Sequence, residues 1–416
     1  MNIVAACVVI TALFAYVNHR FVGFPSTIGV MAIALAVSGG LVSLNALGFG
    51  ALRQTVLPWL SSVDFSMVLM QGMLSFLLFA GALHLDVAEL RRRRAPVALL
   101  ALLGTLVSTA IIAAGVYWLL PLLGAHLPAV YCLIFGALIS PTDPIAVLGM
   151  LKSAGAPRSL EVVMAGESLF NDGIGVVLFA LIVTALSGGP APSAGEALML
   201  FARQALGGLL FGFVLGAATD WLLRSIDSYA EEVLITLAAV VGGYALANAL
   251  HTSGPLAMVV AGLIVGAHLR HAGVDRVSRE YLEKFWDLID AILNCILFVL
   301  LGMEVVLISF PPRILGPALA MIVVTLAARW LTVTTPLVLL GRRFDLPRGS
   351  WLLLTWGGLR GGISVALALS LPAGPARNTV LALTYAIVVF SILVQGLTMK
   401  AVTRRVLAPE VGGLTS

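Results

Sequence analysis

Several polar residues interrupt otherwise apolar stretches of the chain, and their types and spacing could bind a cation. Residues 166–173 read GESLFNDG, so Ser168 and Asp172 are four residues apart and share one face of a helix. Glu167 and Asn171 share the neighbouring face for the same reason. Hard cations prefer oxygen ligands such as carboxylates and carbonyls. The spacing therefore predicts that Asp172 and Ser168 bind a hard monovalent cation such as sodium.

Residues 140–144, Ser-Pro-Thr-Asp-Pro, are expected to interrupt a helix and could supply further oxygen ligands for the cation. The two prolines, Pro141 and Pro144, lack backbone donors and disturb the preceding helical turn. The carbonyls near Ser140 and Thr142 would then be free to coordinate the cation. Asp143 has two interpretations: it balances the positive end of the half-helix that follows it, or it is a second ligand.

A buried arginine completes the set. Arg360 lies in the glycine-rich stretch GGLRGG, and a guanidinium keeps its charge in a protein, so it needs a carboxylate partner. We predict that Glu167 is this partner, which leaves Asp172 free to bind either a proton or a cation. Arg329 needs a partner as well, which the sequence does not identify. The competing interpretation is that these charges form ion pairs that only specify packing.

The composition places these residues in a membrane. Of the 416 residues, 60% are hydrophobic and only 11% are charged, and the mean hydropathy is +1.06. Soluble proteins carry about 25% charged residues, so a soluble fold could not cover this chain with polar surface. A spanning helix needs about 20 apolar residues, and this rule predicts an all-α polytopic membrane protein with thirteen spans. They are 3–19, 26–45, 65–86, 95–120, 128–151, 159–187, 197–225, 230–250, 254–270, 284–309, 313–341, 349–371 and 377–403.

The distribution of basic residues predicts the orientation of these spans. With the N-terminus outside, 18 of the Lys and Arg residues lie in inside segments and 3 in outside segments. Positive residues accumulate on the cytoplasmic side of membrane proteins. We therefore predict a multi-pass protein of the cell (inner) membrane with an outside N-terminus and a cytoplasmic C-terminus.

Two of the spans are interrupted by helix breakers. Span 5 contains the proline break, and span 12 contains the glycine-rich stretch around Arg360. Because they are seven spans apart, they run in opposite directions across the membrane. Two broken helices at corresponding places in inverted halves point to the binding site of a transporter. We expect inverted repeats whose two broken helices cross at the site.

Three sequence motifs together resemble a known family. SPTDP in span 5, GESLFND in span 6 and GLRG in span 12 resemble the NhaP-type sodium/proton antiporters. These belong to the monovalent cation:proton antiporter-1 family, which also contains the animal sodium/proton exchangers. The resemblance covers the whole chain, and the motifs occur in the right order on the right spans.

The resemblance implies a fold and an activity. The family fold has a six-helix core with two crossed broken helices, here about 95–187 and 313–405. Beside it lies a dimerisation part, here about 1–90 and 197–309, which implies a homodimer. The implied activity is sodium/proton antiport by alternating access, in the service of pH homeostasis. The transported Na⁺ (or K⁺ or Li⁺) and H⁺ are substrates, and no cofactor is expected.

The resemblance also implies a role for each site residue. Asp172 carries the ion or the proton, and Ser168 and Thr142 help to coordinate Na⁺, the latter through its main chain. Asn171 positions Asp172, and Glu167 forms the buried pair with Arg360. Electrogenic relatives have a second aspartate at the place of Asn171, so this chain resembles the electroneutral, one-for-one branch.

One position departs from the pattern of some relatives. Some archaeal members have a glutamate in span 3 that reaches the ion through water, and Ala80 stands at that place here. His84 and Asp86 lie nearer the cytoplasmic end. The preference for Na⁺ over K⁺ or Li⁺ therefore stays open. Asp287 and Asp290, three residues apart, are predicted either to line the cytoplasmic funnel or to be solvated caps.

The same residues are compatible with other functions, and the sequence also indicates the expected partners. A K⁺/H⁺ antiporter of the same family and a cation channel are alternatives. A membrane hydrolase with Asp143 and Asp172 as a dyad is disfavoured, because neither a metal triad nor a serine–histidine pattern accompanies them, and we expect no enzyme activity. Membrane lipid is the expected partner, with the run Arg91 to Arg94 meeting anionic lipid. Nothing in the sequence suggests a nucleic-acid partner.

Overall fold

A computed structural model describes residues 3–47, 64–184, 186, 193–226, 228–270, 276–308, 311–344, 346–347 and 349–411. The described chain is built from helices, some of which contain π-helical turns. They are α1 (Ile3–Val17), α2 (Ser26–Ala46), α3 (Phe65–Leu83), α4 (Val87–Arg92), α5 (Arg94–Leu122), α6 (Ala129–Ile139), α7 (Ile145–Ser153), α8 (Arg158–Thr184), α9 (Ala194–Leu223), α10 (Tyr229–Ala249), α11 (Gly254–Leu269), α12 (Arg276–Glu304), α13 (Leu315–Phe344), α14 (Ser350–Trp356), α15 (Gly362–Leu369) and α16 (Pro375–Phe390, continued through Ser391–Gly396 and Leu397–Val411).

The predicted spans correspond to these helices. In the described part of the chain, ten helices are long and apolar enough to cross a membrane. The shorter α11 and the broken pairs α6/α7 and α14/α15 account for the remaining three. The prediction of an all-α polytopic membrane protein is therefore confirmed. The ends of predicted spans 6 and 10, and the counted cations Arg53 and Arg348, lie outside the described residues.

One helix begins well before its predicted span. α12 starts at Arg276 rather than near residue 284. Its first turns are polar, and a rule that counts apolar residues does not include them. Ion pairs one turn apart, Arg279 with Glu283 at 3.0 Å and Lys284 with Glu280 at 2.7 Å, stabilise this polar extension.

The surface of the bundle carries large apolar side chains that water would not tolerate in such numbers. Val338 and Leu339 of α13 are 77% and 75% exposed, and Leu210 of α9 is 67% exposed. Extended apolar surface of this kind marks contact with another apolar phase. Together with the ten long spans, it identifies a multi-pass membrane protein.

Two buried apolar clusters form the interior, and α8 joins them. The larger cluster includes residues of α6, α13, α15 and α16. The second gathers α3, α10 and α11 around Trp286 of α12, whose ring centroid lies 4.8 Å from that of Phe79. Phe170 of α8 packs against both clusters. α8, the helix that carries the predicted ion-binding residues, therefore lies between the two apolar clusters.

Candidate functional site

The two helix breaks meet in the middle of the bundle, as predicted. Their backbones form an antiparallel bridge in which the Asp143 N–H donates to the Leu359 carbonyl at 2.8 Å. A Cβ atom added to Gly361 would overlap the Asp143 carboxylate. Only glycine therefore allows the second break to approach the first this closely.

Asn171 of α8 fixes the first break. The Thr142 N–H donates to Asn171 Oδ1 at 3.2 Å, and Asn171 Nδ2 donates to Thr142 Oγ1 at 2.9 Å. Both residues are buried. Because Pro141 and Pro144 prevent a regular helix here, the amide of Asn171 provides the partners that helical neighbours would otherwise supply.

Ser168 and Asp172 extend this arrangement along α8. The Ser168 hydroxyl lies 3.0 Å from the Thr142 hydroxyl, and both side chains are buried. Asp172, one turn further along the same helix, is 7% exposed. The structure thus brings together the four predicted residues Asp172, Ser168, Thr142 and Asn171. Their roles in ion binding remain predictions.

Asp172 lines a cavity of about 240 Å³ that connects the two breaks with one end of the bundle. Thr142 and Asp143 line it as well, and Gly361 does so from the second break. A cation in the cavity would therefore meet the carboxylates of Asp172 and Asp143 and the oxygen of Thr142, which is a hard-ligand set.

The position of Asp143 bears on its two interpretations. Its carboxylate lies against Gly361, at the start of α15, so it faces the positive end of the opposite half-helix. It also lines the cavity beside Asp172. The half-helix that Asp143 faces is thus the one in the opposite break, α15, rather than the half-helix that follows Asp143 in the chain.

Arg360 binds the first break rather than a carboxylate. Its Nη1 donates to the carbonyls of Ser140 and Pro141, both at 3.1 Å, and its side chain is buried. The prediction that the Ser140 carbonyl is free for a cation is therefore wrong. A guanidinium can satisfy the carbonyls that an unwound segment leaves without helical partners.

Glu167 pairs with Arg329, and the predicted Glu167–Arg360 ion pair is corrected. Arg329 Nη1 donates to Glu167 Oε1, and Nη2 donates to Oε2 at 3.0 Å, in a two-point contact between buried side chains. Arg329 also donates to the Leu354 carbonyl, from Nε at 3.2 Å. Arg360 is already turned toward the break, and α13 brings Arg329 to the other side of Glu167. This identifies the partner of Arg329 that the sequence left open.

The far end of the cavity carries charged and titratable side chains. Lys152, Asp287 and Asp290 line it together with His84. His84 Nε2 lies 2.9 Å from Asp287 Oδ1, which links the end of α3 to α12. The other ring nitrogen lies 2.7 Å from the Ala80 carbonyl. Asp287 and Asp290 both line the cavity, as the first of their two interpretations expects, while the Asp287 side chain is also 67% exposed. That this end is the cytoplasmic one stays a prediction.

A second cavity approaches the site from the opposite end. It has a volume of about 640 Å³ and is lined by residues such as Asp64, Gln71, Val176 and Leu367. Val176 lies one helical turn beyond Asp172 on α8. Among the described lining residues, Asp172 belongs only to the first cavity. The structure is therefore open toward Asp172 from one side.

Ala80 takes no part in the cavity wall. It is fully buried in the second apolar cluster. The residues of α3 that line the cavity are Leu74, Leu77, Leu78 and Gly81, and His84 follows directly after the helix. None of them is acidic, so α3 adds no carboxylate to the site, in line with the departure seen in the sequence.

Several supporting contacts were not anticipated. The Thr109 hydroxyl donates to Ser140 Oγ at 3.0 Å, and the Arg360 N–H donates to Ser391 Oγ at 3.2 Å. Gln395 accepts from the Ser391 hydroxyl and donates to the Trp356 carbonyl. Polar residues within apolar spans were the available signal, because each needs a partner in lipid, but the sequence does not say which helices are neighbours.

Comparisons with known proteins show the family to which this chain belongs. A family model described as "Sodium/hydrogen exchanger, transmembrane" matches residues 8–405. The Na⁺/H⁺ antiporter NhaP of Pseudomonas aeruginosa is 49% identical over 415 residues, which cover 99% of this chain and 98% of that protein. The Na⁺/H⁺ antiporter NhaH of Halobacillus dabanensis is 38% identical over 339 residues, covering 80% of this chain and 81% of that protein.

A solved structure shares the fold. The sodium proton antiporter MjNhaP1 of Methanocaldococcus jannaschii matches with a TM-score of 0.76 over 97% of both chains, at 19% sequence identity. At that identity the likeness concerns the fold alone. The family model, however, spans nearly the whole chain, and the relatives in sequence cover most of it. The chain therefore belongs to the sodium/hydrogen exchanger family, and its resemblance to the NhaP-type antiporters is confirmed.

Proposed function

We propose that this protein is a monovalent cation/proton antiporter, and that cation and proton compete for Asp172. The observation that carries the proposal is the place of Asp172 at the crossing of two broken helices, in the wall of a cavity that is open to one side. The relatives in sequence are named as Na⁺/H⁺ antiporters, which supports sodium as the cation.

The competition itself explains the coupling. Asp172 binds either a proton or a cation, and only the loaded, neutral carrier changes its access from one side to the other. Moving a bare carboxylate through the apolar barrier would cost at least about 2.5–3.5 kcal/mol. Asn171 lies on the same helix as Asp172 and holds Thr142. It would therefore keep the oxygens of Thr142 close to the Asp172 carboxylate. The second cavity, which ends near Val176, is the proposed route on the other side.

We propose that the two parts of the bundle move against each other. The core is about 95–187 and 313–405, and the scaffold, which also dimerises, is about 1–90 and 197–309. α8 of the core contacts α9 and α11 of the scaffold, so a shift of the core along this boundary would change which cavity reaches Asp172. We place the protein in the cell membrane with the N-terminus outside, so the cavity mouth at His84 and Asp287 faces the cytoplasm.

We propose one-for-one, electroneutral exchange. Asn171 is neutral, and it uses both ends of its amide to hold Thr142. Glu167 is neutralised by Arg329. One exchanging carboxylate at Asp172 then balances one cation or one proton, and no net charge crosses the membrane in a full cycle.

A cation channel is the alternative from a different class. Channels use rings of carbonyls or side chains around a continuous pore. Here only the first of the two described cavities includes Asp172 in its wall, and the second ends near Val176 without reaching it, which favours alternating access. A K⁺/H⁺ antiporter with the same site remains the alternative within the family, because the oxygen ligands do not by themselves select the cation.

Proton flux in proteoliposomes tests the proposal. Purified protein is reconstituted with a pH-sensitive dye inside, and Na⁺, Li⁺ or K⁺ is added outside. We expect Na⁺ to drive saturable alkalinisation, at the same rate with and without an imposed membrane potential. Non-saturating cation flux without proton movement would support the channel. A rate that follows the potential would contradict electroneutral exchange.

A further inference from the structure

A large apolar groove lies on the lipid-facing side of the bundle, away from the ion site. Its volume is about 880 Å³, within the range of about 300–1,000 Å³ that is usual for ligand pockets. One wall consists of α4 and the start of α5, the other is α9, and the floor includes Phe170 and Ile174 of α8. The walls are formed almost entirely by apolar side chains, so the groove suits a hydrocarbon chain.

Two arginines mark one end of this groove. Arg91 and Arg94 belong to its lining, whereas Arg92 and Arg93 do not. Arg92 and Arg93 instead contact Glu89, at 3.9 Å and 3.2 Å. Within the described part of the chain, no such ion pair is found for Arg91 or Arg94. Two exposed cations therefore stand beside an apolar groove.

The length of the groove fits a lipid chain that extends away from these cations. Arg94 and Leu102 both line it and are eight residues apart on α5, which corresponds to about 12 Å along the helix axis. On the facing wall, Leu198, Leu206 and Leu209 of α9 line it as well. An occupant therefore needs an anionic group at Arg91 and Arg94 and an apolar tail toward Leu102.

We propose that this groove binds an anionic phospholipid, with its phosphate at Arg91 and Arg94 and one acyl chain between α5 and α9. A zwitterionic lipid would fill the apolar part, but its own cation would offset the attraction between its phosphate and the two arginines. A basic side chain beside the phosphate of the bound lipid is expected to add roughly a fivefold preference for anionic lipid, so the two arginines that line the groove should contribute and Arg92 should not. The lipid would contact Phe170 and Ile174, which flank Asn171 and Asp172 along α8.

Lipid retention tests this site without relying on transport. The protein is reconstituted in vesicles of equal parts phosphatidylglycerol and phosphatidylcholine, extracted in mild detergent, and the retained lipid is counted by native mass spectrometry. We expect phosphatidylglycerol to be retained preferentially. R91Q and R94Q should each weaken retention about fivefold, and the double variant on the order of 30-fold. R92Q removes the same charge outside the groove and should retain lipid as the wild type does.

A second pair of variants tests the groove with all charges in place. Ala202 of α9 lines it, whereas Ala217 lies exposed on the same helix outside it. We expect A202F to displace the lipid and A217F to leave it bound. Equal retention of phosphatidylcholine, equal effects of R91Q/R94Q and R92Q, or normal retention in A202F would overturn the proposal. Loss of a dimer without loss of lipid in R91Q/R94Q would point to a second copy of the chain as the occupant and would overturn it too.

Discussion

Asn171 holds Thr142 at two points: it accepts the Thr142 N–H at 3.2 Å and donates to the Thr142 hydroxyl at 2.9 Å. This contact ties the unwound break to the helix that carries Asp172. Asn171 is therefore the side chain that ties both the backbone and the hydroxyl of Thr142 to the helix of Asp172.

Removing this amide should weaken cation binding more than folding. In Asn171→Ala, the buried Thr142 N–H loses its partner, at a cost of about 1–3 kcal/mol, and the break loosens. We expect the Na⁺ concentration for half-maximal exchange in proteoliposomes to rise about tenfold or more. Asn378→Ala makes the same change at an exposed position of α16 and should leave it unchanged. A wild-type Na⁺ dependence in Asn171→Ala would show that the anchor is dispensable.

The ion pair of Glu167 with Arg329 should dominate the stability of the core. Removing one partner of a buried pair costs about 3–5 kcal/mol, because the other charge stays buried. We expect Glu167→Gln to lower the thermal unfolding midpoint strongly, and a double-mutant cycle to give a larger coupling energy with Arg329→Gln than with Arg360→Gln.

The pair Arg279–Glu283, whose side chains are 42% and 33% exposed, provides a control for this cycle, since surface ion pairs contribute about 0–1 kcal/mol. Glu283→Gln should barely change the unfolding midpoint. A coupling between Glu167 and Arg360 that exceeds the coupling between Glu167 and Arg329 would contradict the assignment made here.

The close approach of the two breaks predicts a steric effect. A methyl group at Gly361 would overlap the Asp143 carboxylate, so Gly361→Ala should push the breaks apart and abolish exchange. Gly149 of α7 has no atom within 4 Å of an added Cβ. Gly149→Ala should keep full activity and gain up to about 1 kcal/mol of stability. Normal Na⁺-driven proton flux in Gly361→Ala would show that the breaks do not need this contact.

The spans, the two breaks and the cluster around Asp172 could be predicted because each has a local signature. Hydropathy locates spans, and prolines or glycines within a span locate breaks. The partner of Glu167 could not be predicted in the same way. Arg329 and Arg360 both lie in apolar spans, and the choice between them depends on how α13 and the second break are rotated about α8. Packing sets that rotation, and no pattern in the sequence records it.

The contact between Asn171 and Thr142 could not be predicted from the sequence for a related reason. A side chain on one helix that satisfies the broken backbone of another is a long-range contact between neighbours that the sequence does not identify. Arg360 is a further example. Its positive charge predicts a carboxylate partner, but its side chain donates to two carbonyl groups of the unwound break instead.

Asp86, which lies outside the membrane-spanning helices, should make the stability of the protein depend on pH. Its carboxylate accepts from the N–H groups of Ala88 and Glu89 at the start of α4 and from Arg158 at 2.8 Å. The hydrogen bond from Glu89 is the largest cause that lowers the pKa of Asp86, and Arg158 contributes less. Because the folded pKa lies below the unfolded value, near 3.9, this stabilisation is complete above that value and is lost as the pH falls through the folded pKa.

Asp86→Ala removes the cap and should cost about 1 kcal/mol near neutral pH. The difference in unfolding midpoint between the wild type and Asp86→Ala should stay constant above about pH 5 and shrink on acidification below about pH 4. Thermal unfolding of the detergent-solubilised proteins across this range measures it. A difference that grows toward low pH would contradict the assigned sign.

The central claim is that Asp172 is the group for which proton and cation compete. The most direct test is Na⁺-driven proton flux by Asp172→Asn in proteoliposomes, with size-exclusion chromatography and the unfolding midpoint to show that the variant is folded. Asparagine keeps the size of the side chain, but it cannot take up a proton and carries no negative charge to balance the cation. We predict a folded protein without measurable exchange. Na⁺-driven alkalinisation that persists in folded Asp172→Asn would contradict the account.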